Sequence, residues 1–281
     1  MSKQQSKIWK SRSFPYVPMN ERDPKPRDRS ITEIRGPYYA MVTPTYVSEL
    51  LEGVGEHVDG FKYAGGSFSL MPADYIRRMN RICHDHGVYV STGGWIENVL
   101  ARAPGHIDDY IAEVKKLDFD MIELSTGFIQ LPVPDLLRLI EKVKKAGLKP
   151  KPEIGIQFGA GGDTSQAELE AEGTRDPQIL IDTANECLNA GASIIMIESE
   201  GITENADPWR TDVAAKIMKN VGMENVMFEA ADPQVFSWYI KNYGIDVNLF
   251  VDHSQIVQLE CLRRGIWGTK STFGRITTYR P

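Results

Sequence analysis

From about residue 38 onward, short apolar runs alternate with amphipathic stretches, and a glycine or polar turn separates each pair. The runs cover 38–43, 58–63, 88–91, 119–125, part of 148–157, 193–198, 225–229 and 247–250. Between them, apolar residues recur at helical spacing, as with Tyr75, Ile76, Met79 and Ile82. Gly87, Gly147, Gly191 and Gly244 stand where such helices would stop. Runs that are apolar on both faces suit strands buried in a parallel sheet. About eight strand–helix units in succession predict an α/β fold of the (β/α)8 TIM barrel type rather than an open doubly wound sheet. No GxGxxG follows the first run, so a dinucleotide fold has no positive sign. Residues 1–30 carry no such period and are rich in Lys, Arg and Pro. They read as an N-terminal arm preceding a barrel domain over 31–281. Trp9, Phe14 and Tyr16 suit the arm to packing on a neighbouring subunit, which predicts a homo-oligomer.

Composition narrows the function classes. The 281 residues carry a formal net charge of −6, and no basic cluster lies outside the arm, which argues against nucleic acid as a partner. No apolar run approaches the roughly 18 residues needed to cross a bilayer, and the first residues lack the apolar stretch of a secretory leader. Cys83, Cys187 and Cys261 are odd in number and far apart, without a CxxC pair. They read as buried thiols in a reducing compartment, so the expected location is cytoplasmic.

In a barrel of this kind the chemistry sits where strands end at their C-termini. Reading those positions gives Lys62, residues 92–97, Glu123, Glu153, Gln157, Glu198, Glu229, Asn248 and His253. Four glutamates near the ends of apolar strands would repel one another on one rim. They call for a counter-charge, either the Lys62 ammonium or a divalent cation such as Mg²⁺. Glycine pairs follow the strands at Gly65–Gly66 and Gly93–Gly94, and a GAGG turn spans 159–162. Backbone N–H groups in such turns can hold an anion, although glycine there also serves turn geometry alone. The polar stretch after GAGG, to Arg175, reads equally as a lid or as an ordinary loop. His253, beside Asp252, serves either as an acid or base or as a cap for the following helix with Ser254. His84 and His86 fall at a helix end on the opposite rim and read as surface residues.

The segments FKYAGGSFSLMP, VYVSTGGW, FDMIELS, KPEIG, ASIIMIE, NVMFEA and VNLFVDHSQIVQLECLRRG resemble the phosphosulfolactate synthase family. They are closer to its eukaryotic, heat-stress-associated branch. The resemblance runs from about Thr32 to Gly268 and implies a (β/α)8 barrel that adds sulfite to phosphoenolpyruvate with Mg²⁺. It carries Lys62 over as an anion-binding lysine, and Glu123, Glu153, Glu198 and Glu229 as the carboxylate set. On that reading Glu123, Glu198 and Glu229 hold the metal, while Lys62, Glu153, Gln157 and His253 take part in catalysis. Gly65, Gly66, Gly93, Gly94 and Asn248 then line a small anionic substrate. Three family features differ here. An Asp-Lys pair ending the first strand is replaced by Met41–Pro44. A double lysine after the fifth-strand E-x-G is Ile156-Gln157, and glutamine cannot serve as an ammonium acid. A Gly-Arg after the sixth-strand glutamate is Ser199-Glu200. The alternatives to a lyase are a barrel that has lost turnover and acts through protein partners, or an enzyme recruited to specialised metabolism.

Overall fold

The computed structural model describes residues 12–173, 175–266 and 272–279. Eight parallel strands close into a barrel in sequence order: β1 (Thr32–Arg35), β2 (Gly60–Lys62), β3 (Tyr89–Ser91), β4 (Met121–Ser125), β5 (Lys149–Ile154), β6 (Ile195–Ile197), β7 (Val226–Glu229) and β8 (Leu249–Asp252). β8 pairs with β1, Glu33 opposite Phe250 and Arg35 opposite Asp252, so the sheet has no open edge. Around it run α1 (Pro44–Val54), α2 (Ala73–Asp85), α3 (Ile96–Arg102), α4 (Ile107–Lys116), α5 (Val133–Lys145), α6 (Gln166–Ala171), α7 (Gln178–Ala190), α8 (Thr211–Asn220), α9 (Pro233–Tyr243) and α10 (Ile256–Arg263). The chain is a (β/α)8 barrel, as its periodicity predicts. Among the described residues no helix is long and apolar enough to cross a membrane.

The main core lies between sheet and helices. Strand side chains facing outward, such as Ile34, Phe61, Ile122, Ile197 and Val251, meet helix stripes like Leu136, Leu139, Ile140 and Val143 of α5. That stripe follows the i, i+3, i+4, i+7 spacing, and each such side chain contributes about 1.5–3 kcal/mol on burial. Cys83 and Cys187 belong to these helix faces, and burial pushes both thiols up to about 12, as inert core residues.

Inside the barrel a small plug of Met121, Ile194, Met196, Met227 and Phe250 fills the closed end. The inward positions above it are charged, and this explains the one misplaced strand. The apolar run 38–43 is not β1. It forms the loop after it, with Tyr38 51% and Tyr39 82% exposed. The true strand, TEIR, looks polar because its inward residues, Glu33 and Arg35, both form ion pairs inside the barrel.

Residues 20–30 do not reach outward as an arm. They lie on the closed end of their own barrel. Lys25 Nζ donates to the carbonyls of Gly55, Val58 and His86 at 2.9, 2.7 and 2.8 Å. Arg27 pairs with Asp59 at 2.7 Å, and Arg22 pairs with Glu260. His84, at the end of α2 on this rim, pairs with Asp120 at 2.8 Å.

Candidate functional site

Because successive strand residues face opposite sides of the sheet, one side-chain layer inside the barrel follows another two residues later. In β5 this brings Lys151 and then Glu153 inward; in β4, Glu123 and then Ser125. The register sets Glu123 beside Lys151 and Ser125 beside Glu153. A column of alternating charge results. Glu33 meets Lys151 at 2.6 Å, Lys151 meets Glu123 at 3.0 Å, Glu123 meets Lys62 at 2.8 Å, and Lys62 meets Glu153 at 2.8 Å. Lys62 also stands 4.7 Å from the centre of the Phe250 ring, on the plug.

The column ends at the open mouth in a group of carboxylates. One oxygen each from Glu153, Glu198 and Glu229 lies within 4.8 Å of the others. Arg35, at the end of β1, pairs with Glu229 at 2.7 Å and lies 5.2 Å from the Phe250 ring centre. These groups face a cavity of about 230 Å³ that Gly65, Gly94, Ser125 and Glu200 also line.

Charge crowding shows in the titration of each group. Burial opposes the Lys62 ammonium, but Glu123, Glu153 and Glu229 outweigh it and hold the pKa well above its usual value. Burial also acts to raise Glu123, yet Lys151 and Lys62 bring its pKa below the ordinary range. Glu153 is pushed up to about 7, by burial first, then by Glu123 and Glu229, against Lys62. Burial and the charges of Glu229 and Glu153 raise Glu198 well above a normal carboxylate. Of these acids, then, Glu153 and Glu198 are those whose negative charge the protein leaves under-compensated.

The residues expected from sequence separate into several places. Lys62, Glu153, Glu198 and Glu229 come together, with Gly65 and Gly94 on the wall. Glu123, expected in the metal set, lies outside the trio: it lines the cavity from deeper in the barrel, 0% exposed and held between two lysines. Glu153 takes its place in the trio. Gln157 turns away, its amide donating to the Leu169 carbonyl at 3.0 Å, and among the described residues it does not line the acidic cavity. Asn248 lies just before β8, at the closed end. It accepts from Ile31 N at 2.9 Å and donates to the carbonyls of Met223 and Val226, so it ties strands together instead of lining substrate. His253 is on the open rim, Nδ1 2.8 Å from the Tyr46 hydroxyl, beside a neighbouring chamber. The cap of the turn after β8 is Asp252, which accepts from Ser254 N at 2.9 Å.

The glycine turns serve the fold more than a ligand. A side chain at Gly93 (φ 64°) would put Cβ 2.1 Å from the Tyr63 carbonyl oxygen, and one at Gly66 would strike Trp95. In the GAGG turn an anion is bound, but it is the protein's own: Glu200 accepts from Gly161 N at 2.7 Å and Thr164 N at 3.1 Å. The stretch beyond it contains α6, opened by a Ser165–Glu168 capping box. Buried Glu97 pins the loop after β4 in the same manner, accepting from Gly127 N at 2.8 Å and Phe128 N at 2.7 Å.

Sequence reasoning missed Glu33, Arg35, Lys151 and Phe250. The signal was the period of two in TEIR and KPKPEI, which places Glu33 with Arg35, and Lys151 with Glu153, on one face. Residues 20–269 match the family model described as (2R)-phospho-3-sulfolactate synthase (ComA). The chain is 40% identical over 265 residues to the Arabidopsis thaliana protein HEAT-STRESS-ASSOCIATED 32, covering 91% of each. It is 25% identical over 244 residues to phosphosulfolactate synthase of Methanocaldococcus jannaschii, covering 83% of this chain and 90% of that one. Among solved structures, the putative copper homeostasis protein CutC of Streptococcus agalactiae superposes with a TM-score of 0.50 at 12% identity, covering 79% of this chain and 98% of that one; this is a likeness of fold alone.

Proposed function

The chain belongs to the (2R)-phospho-3-sulfolactate synthase (ComA) family, and from that premise we propose that it is a lyase-type enzyme that adds sulfite, or a related nucleophile, to phosphoenolpyruvate or a similar small unsaturated acid. The observation that carries this reading is the convergence of Glu153, Glu198 and Glu229 beside Arg35 and Lys62 at the barrel mouth. Three oxygen donors with raised or crowded charge suit a hard divalent cation, and Mg²⁺ takes such carboxylates together with water and substrate oxygens. Held there, Mg²⁺ would supply a Lewis acid for the charge that develops on the substrate carboxylate.

The chain's own residues do the rest. In the addition, the sulfur lone pair forms a bond to the methylene carbon, the carbon–carbon π pair moves toward the carboxylate, and a proton then joins the adjacent carbon. Arg35, held on Glu229 at 2.7 Å at the cavity wall, turns its guanidinium toward a substrate oxygen. Lys62 orients Glu153 and keeps the cavity's charge low enough for an anion to enter. Phe250 closes the floor against water. The position of the family's double lysine offers no ammonium here, since Gln157 faces Leu169.

A second reading, a barrel acting through a protein partner, draws on the exposed Tyr39, Leu70 and Phe128. One experiment separates the two: ³¹P NMR of phosphoenolpyruvate and sulfite with the protein, with Mg²⁺ or with chelator. Mg²⁺-dependent appearance of a new organic phosphate is expected, slowed more than about 100-fold in Glu198→Gln. Turnover indifferent to chelator refutes the role of Mg²⁺, and none at all with Mg²⁺ present refutes the lyase reading.

A further inference from the structure

The register that sets Ser125 beside Glu153 also brings a neutral oxygen to the barrel mouth. Ser125 is the last residue of β4, only 4% exposed, and it lines the same cavity as Glu153, Glu198 and Glu229. Its Oγ lies 2.5 Å from Glu97 Oε1 and 3.0 Å from Glu153 Oε1. A hydroxyl carries one hydrogen and two lone pairs, so it donates to only one of these carboxylates at a time. The contact with Glu97 has the short spacing of a charge-assisted O–H···O⁻ bond and takes the hydrogen. Toward an ionised Glu153 the hydroxyl then presents a lone pair, oxygen against oxygen. Such a contact is favourable only with a positive charge between the two.

The surroundings keep the hydroxyl in that orientation. Glu97, on α3, is 3% exposed and also accepts from Gly127 N at 2.8 Å and Phe128 N at 2.7 Å, so its position does not depend on Ser125 alone. Gly94, on the same cavity wall, leaves the hydroxyl uncovered: a side chain there would put Cβ 3.3 Å from Ser125 Oγ. The spacing to Glu153 is also informative. Mg²⁺ holds its oxygens at about 2.0–2.1 Å in a near-octahedral shell, so neighbouring ligands stand about 3.0 Å apart. Ser125 Oγ and Glu153 Oε1 have that separation. Serine and threonine hydroxyls serve as neutral Mg²⁺ ligands in P-loop NTPases, so the chemistry is a familiar one.

We propose that Ser125 Oγ is a fourth protein oxygen of the cation site at the mouth, and that Glu97 is its positioning residue, holding the hydroxyl hydrogen away from the cation. This rests on the reading of Glu153, Glu198 and Glu229 as a metal site. A neutral fourth ligand adds an oxygen without adding to the repulsion among the carboxylates. It leaves the remaining positions of the shell to water and substrate oxygens.

The test reads metal binding by the whole protein rather than turnover. Calorimetric titration with Mg²⁺ is expected to show binding in wild type and binding at least about 10-fold weaker in Ser125→Ala. Ser125→Cys, nearly the same size, places a soft sulfur at the same point and favours a soft cation such as Cd²⁺ over Mg²⁺. With Cd²⁺ it is expected to give a sulfur-to-metal charge-transfer absorption in excess of wild type treated alike. Glu97→Gln is expected to weaken Mg²⁺ by about 3- to 10-fold in wild type and not at all in Ser125→Ala, since its effect runs through the hydroxyl. Mg²⁺ binding unchanged in Ser125→Ala, or no excess absorption from Ser125→Cys, overturns Ser125 as a ligand and leaves the trio standing. Equal weakening by Glu97→Gln in both backgrounds overturns the positioning role. Absence of Mg²⁺ binding by wild type overturns the metal site and Ser125 with it.

Discussion

Replacing Lys62 with methionine tests whether the charged column holds the barrel together as well as shaping its mouth. Lys62 Nζ lies 2.8 Å from both Glu123 and Glu153, on a side chain only 7% exposed. Without it Glu123 keeps Lys151 at 3.0 Å, but Glu153 keeps only the Ser125 hydroxyl at 3.0 Å. At an effective dielectric of about 20, each lost contact corresponds to roughly 6 kcal/mol of Coulomb attraction, most of it offset because the ammonium no longer has to be desolvated. What remains is the cost of a buried charge without its partner, about 3–5 kcal/mol. In a domain of this size each kcal/mol moves the melting temperature by about 2–4 °C, so Lys62→Met should melt about 6–20 °C lower. The assay is thermal unfolding followed by circular dichroism in four proteins: wild type, Lys62→Met, Glu153→Gln and the double variant. Removing Glu153's charge as well should restore part of the loss, with a coupling of about 1–3 kcal/mol. A Lys62→Met protein melting within about 1 °C of wild type, or strictly additive effects in the cycle, refutes the reasoning. Lys62 would then be an anion grip and nothing more.

Two other perturbations test groups outside the charged column. Burial, with Arg264, Arg22 and Arg27 nearby, lowers the His57 pKa to about 4 despite Glu260. The neutral ring is favoured only in the folded state, so the unfolded chain binds the extra proton between pH about 6.5 and about 4. Stability from this group is therefore full above that window and falls through it, by up to about 3 kcal/mol. Urea unfolding at pH 7.5 and pH 4.5 should show this loss in wild type and a smaller one in His57→Gln; equal losses would refute it. Gly93→Ala forces a Cβ to within 2.1 Å of the Tyr63 carbonyl oxygen at a φ of 64°. It should lower stability by at least about 2 kcal/mol, and an unchanged denaturation midpoint would show that the turn relaxes freely.

The order of strands and helices was legible because the side chains that face the helices are apolar in every strand, whatever points inward. β1 was the exception: TEIR shows its charged residues as plainly as its apolar ones, while the exposed tyrosines after it imitate a strand. That slip hid Arg35 and made the first strand look as if it lacked a cation. A two-residue shift at the last strand likewise moved Asn248 from the closed end to the mouth. The four glutamates were visible as charges in apolar runs. Their depth was not, because it depends on register: Glu123 pairs across to Lys151, whereas Glu153 pairs across to Ser125, one layer nearer the opening. Lys151 was in plain view in KPKPEI, but only that pairing shows which carboxylate it neutralises. The fate of the GAGG amides depended on Glu200, a residue from the next strand's loop that no local pattern links to them.

The sign and number of these charges bear directly on the proposed Mg²⁺. The column and mouth contain Glu33, Glu123, Glu153, Glu198 and Glu229 against Lys62, Lys151 and Arg35. In the column itself five carboxylates face three cations, and burial with mutual repulsion raises the pKa of Glu153 and Glu198. A barrel interior normally solves packing with branched apolar side chains, and an uncompensated charge there is expensive. The alternation Glu33–Lys151–Glu123–Lys62 disposes of charge pairwise in the lower layers, so the excess is carried to the upper end, at Glu153, Glu198 and Glu229. A divalent cation bound at the trio would relieve that repulsion and give an acid substrate a positive centre to approach, beside the Arg35 guanidinium on Glu229. On the proposed reading, the lower ion pairs leave the trio at the mouth as the place where a dication is most favoured.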